Sequence, residues 1–321
     1  MILTHKIDDC STSKDSCLFD PCNTESPSKG CRPTTMKSTR IVLFAIIHVL
    51  AYCHLSLGQS SGNWNFAFNF AGYKRQNGEF LLKECPKKGK DNFEKTVKMI
   101  DAALQKDALE MPTTNRDKTH VQCVKDPVMG NVVNFTIYKN GDNDYTGNTD
   151  RQRMEMKGKE EGKIGNTFLY AWWFKIDPNM KNTDVFYHIF QIKTGGTKAM
   201  TKFPLATLTL TNKDKFHVQP NYLNKYGEKA YKLLGLQQVK GKWIQVFVEA
   251  AFKKKSEGGY IRVTMKDEKG KDLIRSKTIE HEMWWDNANF RPKWGLYRKK
   301  SPGYQPSDWQ LFQNVQIWKN N

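Results

Sequence analysis

From about residue 119 onward the chain is written in short alternating or β-branched runs: HVQCV, NVVNFTIYK, DRQRMEMK, NTFLYAWWFKI, VFYHIFQIK, FPLATLTLT, KFHVQP, KWIQVFVEAAFK, GYIRVTMKD, PKWGLYR and WQLFQNVQIWK. Clusters of Gly, Asn, Asp and Lys divide them, and no helical pattern intervenes. Many strands at short intervals predict an all-β domain, two packed antiparallel sheets or a jelly roll. Ahead of them, residues 91–111 place Phe93, Val97, Ile100 and Leu104 at helical spacing, with Asp91 as N-cap, so one N-terminal helix is expected on the edge of the domain.

The first 58 residues follow a different pattern. Met36 to Arg40 form a charged start to IVLFAIIHVLAYCHLSLG, which ends with Ser56 and Gly58 at the small-residue spacing of a cleavage site. The apolar run is shorter than the roughly 20 residues of a membrane-spanning helix and contains His48 and His54. Residues 36–58 therefore predict a signal peptide, and the product is expected to be secreted and extracellular, without stable membrane association. Residues 1–35 are polar and rich in Ser, Thr, Pro and Cys; they predict an extension upstream of the true start, or a disordered segment. Residues 59–321 form the expected domain.

This division changes the cysteine count. Five of the seven cysteines, Cys10, Cys17, Cys22, Cys31 and Cys53, precede residue 59, which leaves Cys85 and Cys123. Two thiols in an oxidising compartment most simply form one disulfide. The sequon Asn134-Phe135-Thr136 makes Asn134 a glycosylation site for the same secreted chain.

Charge narrows the partner. The 51 Lys/Arg and 33 Asp/Glu give a formal charge of +18 and a pI near 9.5. Residues 1–58 hold six and five of these, leaving 45 against 28, so the basicity belongs to the domain. A basic extracellular surface attracts polyanions, and outside the cell an acidic polysaccharide is a more natural partner than nucleic acid. A monomer is expected.

Splitting strands into faces locates the chemistry. In DRQRMEMK, Arg151, Arg153, Glu155 and Lys157 share one face while Met154 and Met156 take the other. Tyr187, Ile189, Gln191 and Lys193 share a face of VFYHIFQIK, with His188 opposite unless a bulge intervenes. In FRPKWGLYR, Arg291, Lys293, Gly295 and Tyr297 share a face, and Trp294 and Leu296 point to the core. Any one of these faces is what a solvated strand looks like, but Gln191 and Tyr297 are poor solubilising choices, and Gly295 suggests a floor under a ligand.

A glycoside hydrolase needs two carboxylates near one sugar bond; no strand here carries such a pair, and Glu155 sits between Arg153 and Lys157, where it would hold those cations. An acidic sugar can instead be cut by β-elimination. The uronate carboxylate is neutralised by hydrogen bonds and charge, a base removes the C5 proton, and the leaving oxygen is protonated. Tyr297, with Lys293, Arg291 and Arg298 nearby in sequence, has neighbours that favour phenolate.

DRQRMEMK, FYHIFQIK and RPKWGLYR, in that order, resemble the three signature strands of polysaccharide lyases built on a concanavalin-A-like jelly roll, which in alginate lyases read R-(S/T)-E-L, Q-(I/V)-H and Y-F-K-A-G-x-Y. The wording is most similar to the fungal glucuronan lyases, family 20 of the polysaccharide lyases, and the likeness covers roughly residues 119–319. It implies Arg153 and Gln191 at the substrate carboxylate, Tyr297 in proton transfer, and Lys293 on the same face. Lys193 stands where alginate lyases have a histidine, which leaves His188 as a second catalytic candidate. Lys193, Lys293, Arg151, Arg291 and Arg298 are the expected substrate-binding residues. A secreted lyase acting on glucuronan is the reading this supports, with a non-catalytic acidic-glycan lectin as the alternative.

No cofactor is required by this chemistry. GDNDYTGNTD, residues 141–150, offers Asp142, Asp144 and Asp150 to Ca²⁺, although the EF-hand series fails at Arg153; a solvated turn is the plainer reading. HEMWW lacks the second histidine of a zinc helix, and of Trp284 and Trp285 one is expected exposed and one buried.

Overall fold

The computed structural model describes residues 71–78, 84–115, 119–159, 162–181, 183–195, 204–211, 215–220, 230–285 and 288–320, with 211 and 215–220 as backbone only. The expected extension and signal peptide lie outside these residues. The described strands are β1 (Tyr73–Arg75), β2 (Leu109–Glu110), β3 (Val121–Asp126), β4 (Gly130–Tyr138), β5 (Arg151–Lys157), β6 (Thr167–Ile176), β7 (Tyr187–Thr194) and β8 (Pro204–Thr211), then β9 (Lys215–Pro220), β10 (Tyr231–Gly235), β11 (Ile244–Ala251), β12 (Tyr260–Asp267), β13 (Asp272–Glu280), β14 (Phe290–Lys299) and β15 (Ser307–Asn320); α1 is Lys90–Ala103. No helix among the described residues is long and apolar enough to cross a membrane.

The strands pair into two antiparallel sheets, as expected. One runs β13-β12-β11-β6-β15-β4-β3, with β1 added to β15; the other runs β10-β9-β8-β7-β14-β5-β2. Between them lies the core. Phe168, Tyr170, Trp172 and Phe174 of β6 are buried, as are Phe190 and Trp294 from the second sheet. Trp172 stacks on Phe190 with centroids 4.8 Å apart, and Trp294 meets Trp172 edge-on at 6.2 Å. Such aromatic pairs add to what their burial contributes. Trp284 and Trp285 are both buried rather than split between core and surface.

The helix differs from the expectation. It ends at Ala103 rather than near residue 111, is capped by Gly89 rather than Asp91, and buries Asn92, Thr96, Ile100 and Ala103 instead of the Phe93–Val97 stripe. Asn92 is the cause: its Nδ2 donates to the Cys123 carbonyl at 2.9 Å and its Oδ1 accepts from the Cys123 N–H at 2.7 Å. A polar side chain that pairs with both groups of a strand residue is satisfied inside and turns the helix toward β3. The Cys85–Cys123 disulfide, expected from the cysteine count, closes at the same residue. After the helix, the Ala108 N–H donates to Asp101 Oδ1 at 2.9 Å, and Leu109–Glu110 become a short edge strand opposite Met156 and Glu155.

Two further departures concern β14. Arg298, expected to face substrate, points into the core and is fully buried. It forms an ion pair with Asp308, donates to Gln152 Oε1 at 2.9 Å, and lies 4.0 Å over the Tyr304 ring. Strand alternation alone requires this, since Trp294, Leu296 and Arg298 share a face. Gly295 has φ +143°, and a Cβ there would sit 2.2 Å from the Met154 carbonyl oxygen and 2.7 Å from Glu155 Cα. Glycine is needed there by the backbone of the neighbouring strand, whatever lies above it. Gly295→Ala is expected to destabilise the fold by about 1–3 kcal/mol or more through backbone strain and collision with β5; urea unfolding checks this, and wild-type stability in the variant would remove the argument.

Candidate active site

β14 is the middle strand of the site, with β7 on one side and β5, then β2, on the other. The register places Tyr297 between His188 and Arg153, Lys293 between Gln191 and Lys157, and Arg291 beside Lys193. Simple alternation would turn His188 away. The structure corrects this through a β-bulge: His188 pairs with Thr209 and Phe190 with Leu208, so Ile189 is an extra residue with no counterpart on β8. One inserted residue resets the parity of a strand. Tyr187 and Ile189, expected on the polar face, are consequently buried, and His188 joins Gln191 and Lys193.

Tyr297 is the meeting point of the catalytic candidates. Its hydroxyl accepts from Arg151 Nη1 at 3.1 Å, and the Arg153 guanidinium lies 3.9 Å from its ring centroid. The His188 ring centroid is 5.9 Å away, and Phe186 packs on both rings. His188 Nδ1 is 2.7 Å from Thr209 Oγ1, which in turn contacts Thr207 Oγ1 at 2.6 Å. Asp150 holds the other edge of Arg151 with bonds of 2.7 and 2.9 Å.

Beneath this surface lies a network of buried charge. Glu110 accepts from Lys293 through both oxygens at 2.7 Å and from Arg153 at 2.8 Å, with Lys157 at 4.0 Å. Asp144 pairs with Arg153 at 3.1 Å, and Glu155 with Arg153 at 3.7 Å. The Gln191 amide donates to both Glu155 oxygens at 2.7 and 2.9 Å. Arg153 and Gln191, expected at a substrate carboxylate, thus direct these donors to protein carboxylates, while Lys293 is buried against Glu110.

The environment separates these groups electrostatically. Burial opposes ionisation of Glu110, yet Lys293 and Arg153 hold it down at about 2. Burial dominates at Glu155 and pushes it up. Lys193, half-buried, is lowered to about 8 by burial and by the charges of Lys293 and Arg153. Among the described residues Lys193 has no ion-pair partner, unlike Arg153 and Lys293.

The aspartates of the 141–150 loop are each engaged separately. Asp142 accepts from the Tyr138 N–H at 2.6 Å and Asn115 at 2.9 Å, Asp144 binds Arg153, and Asp150 binds Arg151. No group of three or more His, Cys, Asp or Glu placed for a metal occurs among the described residues. Asn134 of the sequon is half-buried on β4, its Nδ2 donating to Thr136 at 3.2 Å. Sequence reasoning missed Glu110, which it assigned to the helix, and Phe186 and Thr209, which carried no signal apart from their strands.

Two antiparallel sheets, with cations and carboxylates gathered around one tyrosine on the second, define a jelly-roll fold with a candidate site. The polysaccharide lyase family model matches residues 70–316, most of the chain. The chain belongs to that family and is a polysaccharide lyase. It is similar to the endo-β-1,4-glucuronan lyase of the fungus Trichoderma reesei, at 14% identity over 65% of this chain and 93% of that one, TM-score 0.48. It is also similar to an alginate lyase of Pseudomonas aeruginosa (17% identity, 63% and 87% covered, TM-score 0.44) and one of Klebsiella pneumoniae (13%, 65% and 93%, TM-score 0.46). No curated protein matches.

Glu110→Gln should reveal how much the network contributes. A carboxyl held at about 2 against an ordinary 4.5 stabilises the fold above pH 4.5 and loses that contribution as pH falls toward 2. At pH 7 the variant should be less stable by about 3–5 kcal/mol, because two buried cations lose a partner, and the gap should narrow below pH 4.5. Equal urea midpoints at pH 7 would refute this.

Proposed function

We propose that the chain cleaves a polyuronate, glucuronan in particular, by β-elimination, and that it works outside the cell. The observation that carries the reading is the Tyr297 hydroxyl held by Arg151 at 3.1 Å, with the Arg153 guanidinium 3.9 Å from its ring and the His188 imidazole on the adjacent strand.

The roles follow from the hydrogen bonds. His188, its Nδ1 2.7 Å from Thr209 Oγ1, is assigned the task of taking the C5 proton of the uronate. As that proton leaves, its electron pair forms the C4=C5 double bond and the C4–O4 bond breaks. Tyr297 delivers its proton to O4, and Arg151 and Arg153 stabilise the phenolate that remains. Lys193, a cation with no ion-pair partner among the described residues, neutralises the uronate carboxylate, which lowers the cost of the enolate-like state. The choice of glucuronan rests on the FYHIFQIK and RPKWGLYR strands, where Lys193 replaces the alginate-lyase histidine. Secretion rests on residues 36–58 and on the disulfide between Cys85 and Cys123.

Purified protein should generate unsaturated uronate, seen as rising ultraviolet absorbance, on glucuronan more than on alginate or heparin. No signal on any polyuronate would refute the assignment. Tyr297→Phe and His188→Ala should each lower kcat by about 10²–10⁴-fold while leaving thermal unfolding nearly unchanged; full activity in Tyr297→Phe would remove its role as acid.

Lys193 adds a pH signature. It is charged below about pH 8 and neutral above, so KM for the polyanion should rise as pH climbs through 8. Lys193→Gln should raise KM about tenfold at pH 7 and flatten that limb. A wild-type limb retained in the variant would assign the titration elsewhere.

A further inference from the structure

Tyr145 lies in the loop between β4 and β5, and the reaction above gives it no task. Tyr145 is 39% exposed. The Arg153 guanidinium sits 5.2 Å from the Tyr145 ring and 3.9 Å from that of Tyr297. One buried cation therefore holds both rings. The charges acting on the Tyr145 hydroxyl are those of Glu110, Arg153, Asp144 and Arg291, all from this site.

The exposure of the ring is imposed by the loop. Asp142, Asn143 and Asp144, the three residues before it, are all buried. Asn143 Oδ1 accepts from the Thr113 and Thr114 N–H groups at 3.0 and 3.3 Å, and the Asn143 carbonyl accepts from the Arg153 N–H at 3.3 Å. The Asp144 backbone carbonyl accepts from the Gly147 N–H at 2.9 Å, and the Asp144 N–H donates to the Asn148 carbonyl at 3.2 Å. A flexible tip would let the ring fold back onto apolar surface, but this loop fixes it at the groove. Burial and Glu110 raise its hydroxyl pKa, so it stays protonated and can donate to an oxygen.

We propose that Tyr145 is a sugar platform: the apolar C–H face of a uronate ring neighbouring the scissile bond rests on the phenol ring. A pyranose has such a face, and an aromatic ring over a cation is a rigid, partly apolar surface for it. The proposal rests on the polyuronate reading of the same groove. The alternative is that the ring only covers Arg153, a structural task.

Steady-state kinetics on a polyuronate separate the two. Tyr145→Ala should raise KM about tenfold with kcat changed less than about threefold, and Tyr145→Phe, which keeps the ring, should recover most of the affinity. Tyr145→Ala with wild-type KM overturns the platform, as does a lowered thermal midpoint with no change in KM. If the wild type turns over no polyuronate, the reaction assignment fails separately, and calorimetric binding of glucuronan oligomers decides the platform: weaker binding in Tyr145→Ala and near-normal binding in Tyr145→Phe support it, whereas equal binding or none overturns it.

Discussion

Four cations on three neighbouring strands cannot share one face unless something holds them together. Lys157 on β5 pairs with Lys293 on β14, Arg153 with Tyr297 on the same two strands, and Lys193 on β7 with Arg291. At 4 Å and an effective dielectric near 20, two like charges repel by about 4 kcal/mol. Glu110 is the main answer, accepting from Lys293 and Arg153 together, with Asp144 and Glu155 completing the set. Much of the N-terminal part of the domain serves to place that one carboxylate. Asn92 and the disulfide fix α1 to Cys123, Asp101 turns the chain at Ala108, and the two-residue strand β2 sets Glu110 opposite Glu155.

The second constraint is parity. A regular β7 would bring Gln191 and Lys193 to the groove and send His188 into the core beside Trp294. The extra residue at Ile189 lets one strand serve both purposes: Phe190 and Ile192 remain core, while His188 turns to face Tyr297. Bulges re-aim side chains in this way next to active sites. Gly295 belongs to the same economy of space, since β14 approaches the β5 backbone too closely there for any Cβ.

Most of this architecture is legible in the sequence because alternation is a local signal. The runs DRQRMEMK, FYHIFQIK and RPKWGLYR declare their faces, and the candidate residues Arg153, Gln191, Lys193, Lys293 and Tyr297 lie on one face of the second sheet. What the pattern hides is whatever depends on a distant partner. Asn92 looks like a surface residue of a helix until Cys123 satisfies it. Glu110 looks like the end of that helix until Lys293, 183 residues away, claims it. The Ile189 bulge has no residue signature at all, and Arg298 looks like a substrate contact from its neighbours in sequence, whereas its own alternation points to Asp308.

The balance of charge in the groove links fold to chemistry. In the ion-pair network, Glu110, Asp144 and Glu155 face Arg153, Lys157 and Lys293, and Lys193 remains over. A half-buried cation beside Lys293 and Arg153, with no counterion among the described residues, is costly, and its lowered pKa expresses that cost. On the proposed reading the missing counterion is the uronate carboxylate, so that binding the substrate and relieving the strain on Lys193 are one event. The charges already matched hold the groove in shape and have little left to gain from an anion. Attraction over distance then belongs to the basic surface as a whole, whereas on this reading recognition at the reacting sugar belongs to Lys193, which has no ion-pair partner among the described residues.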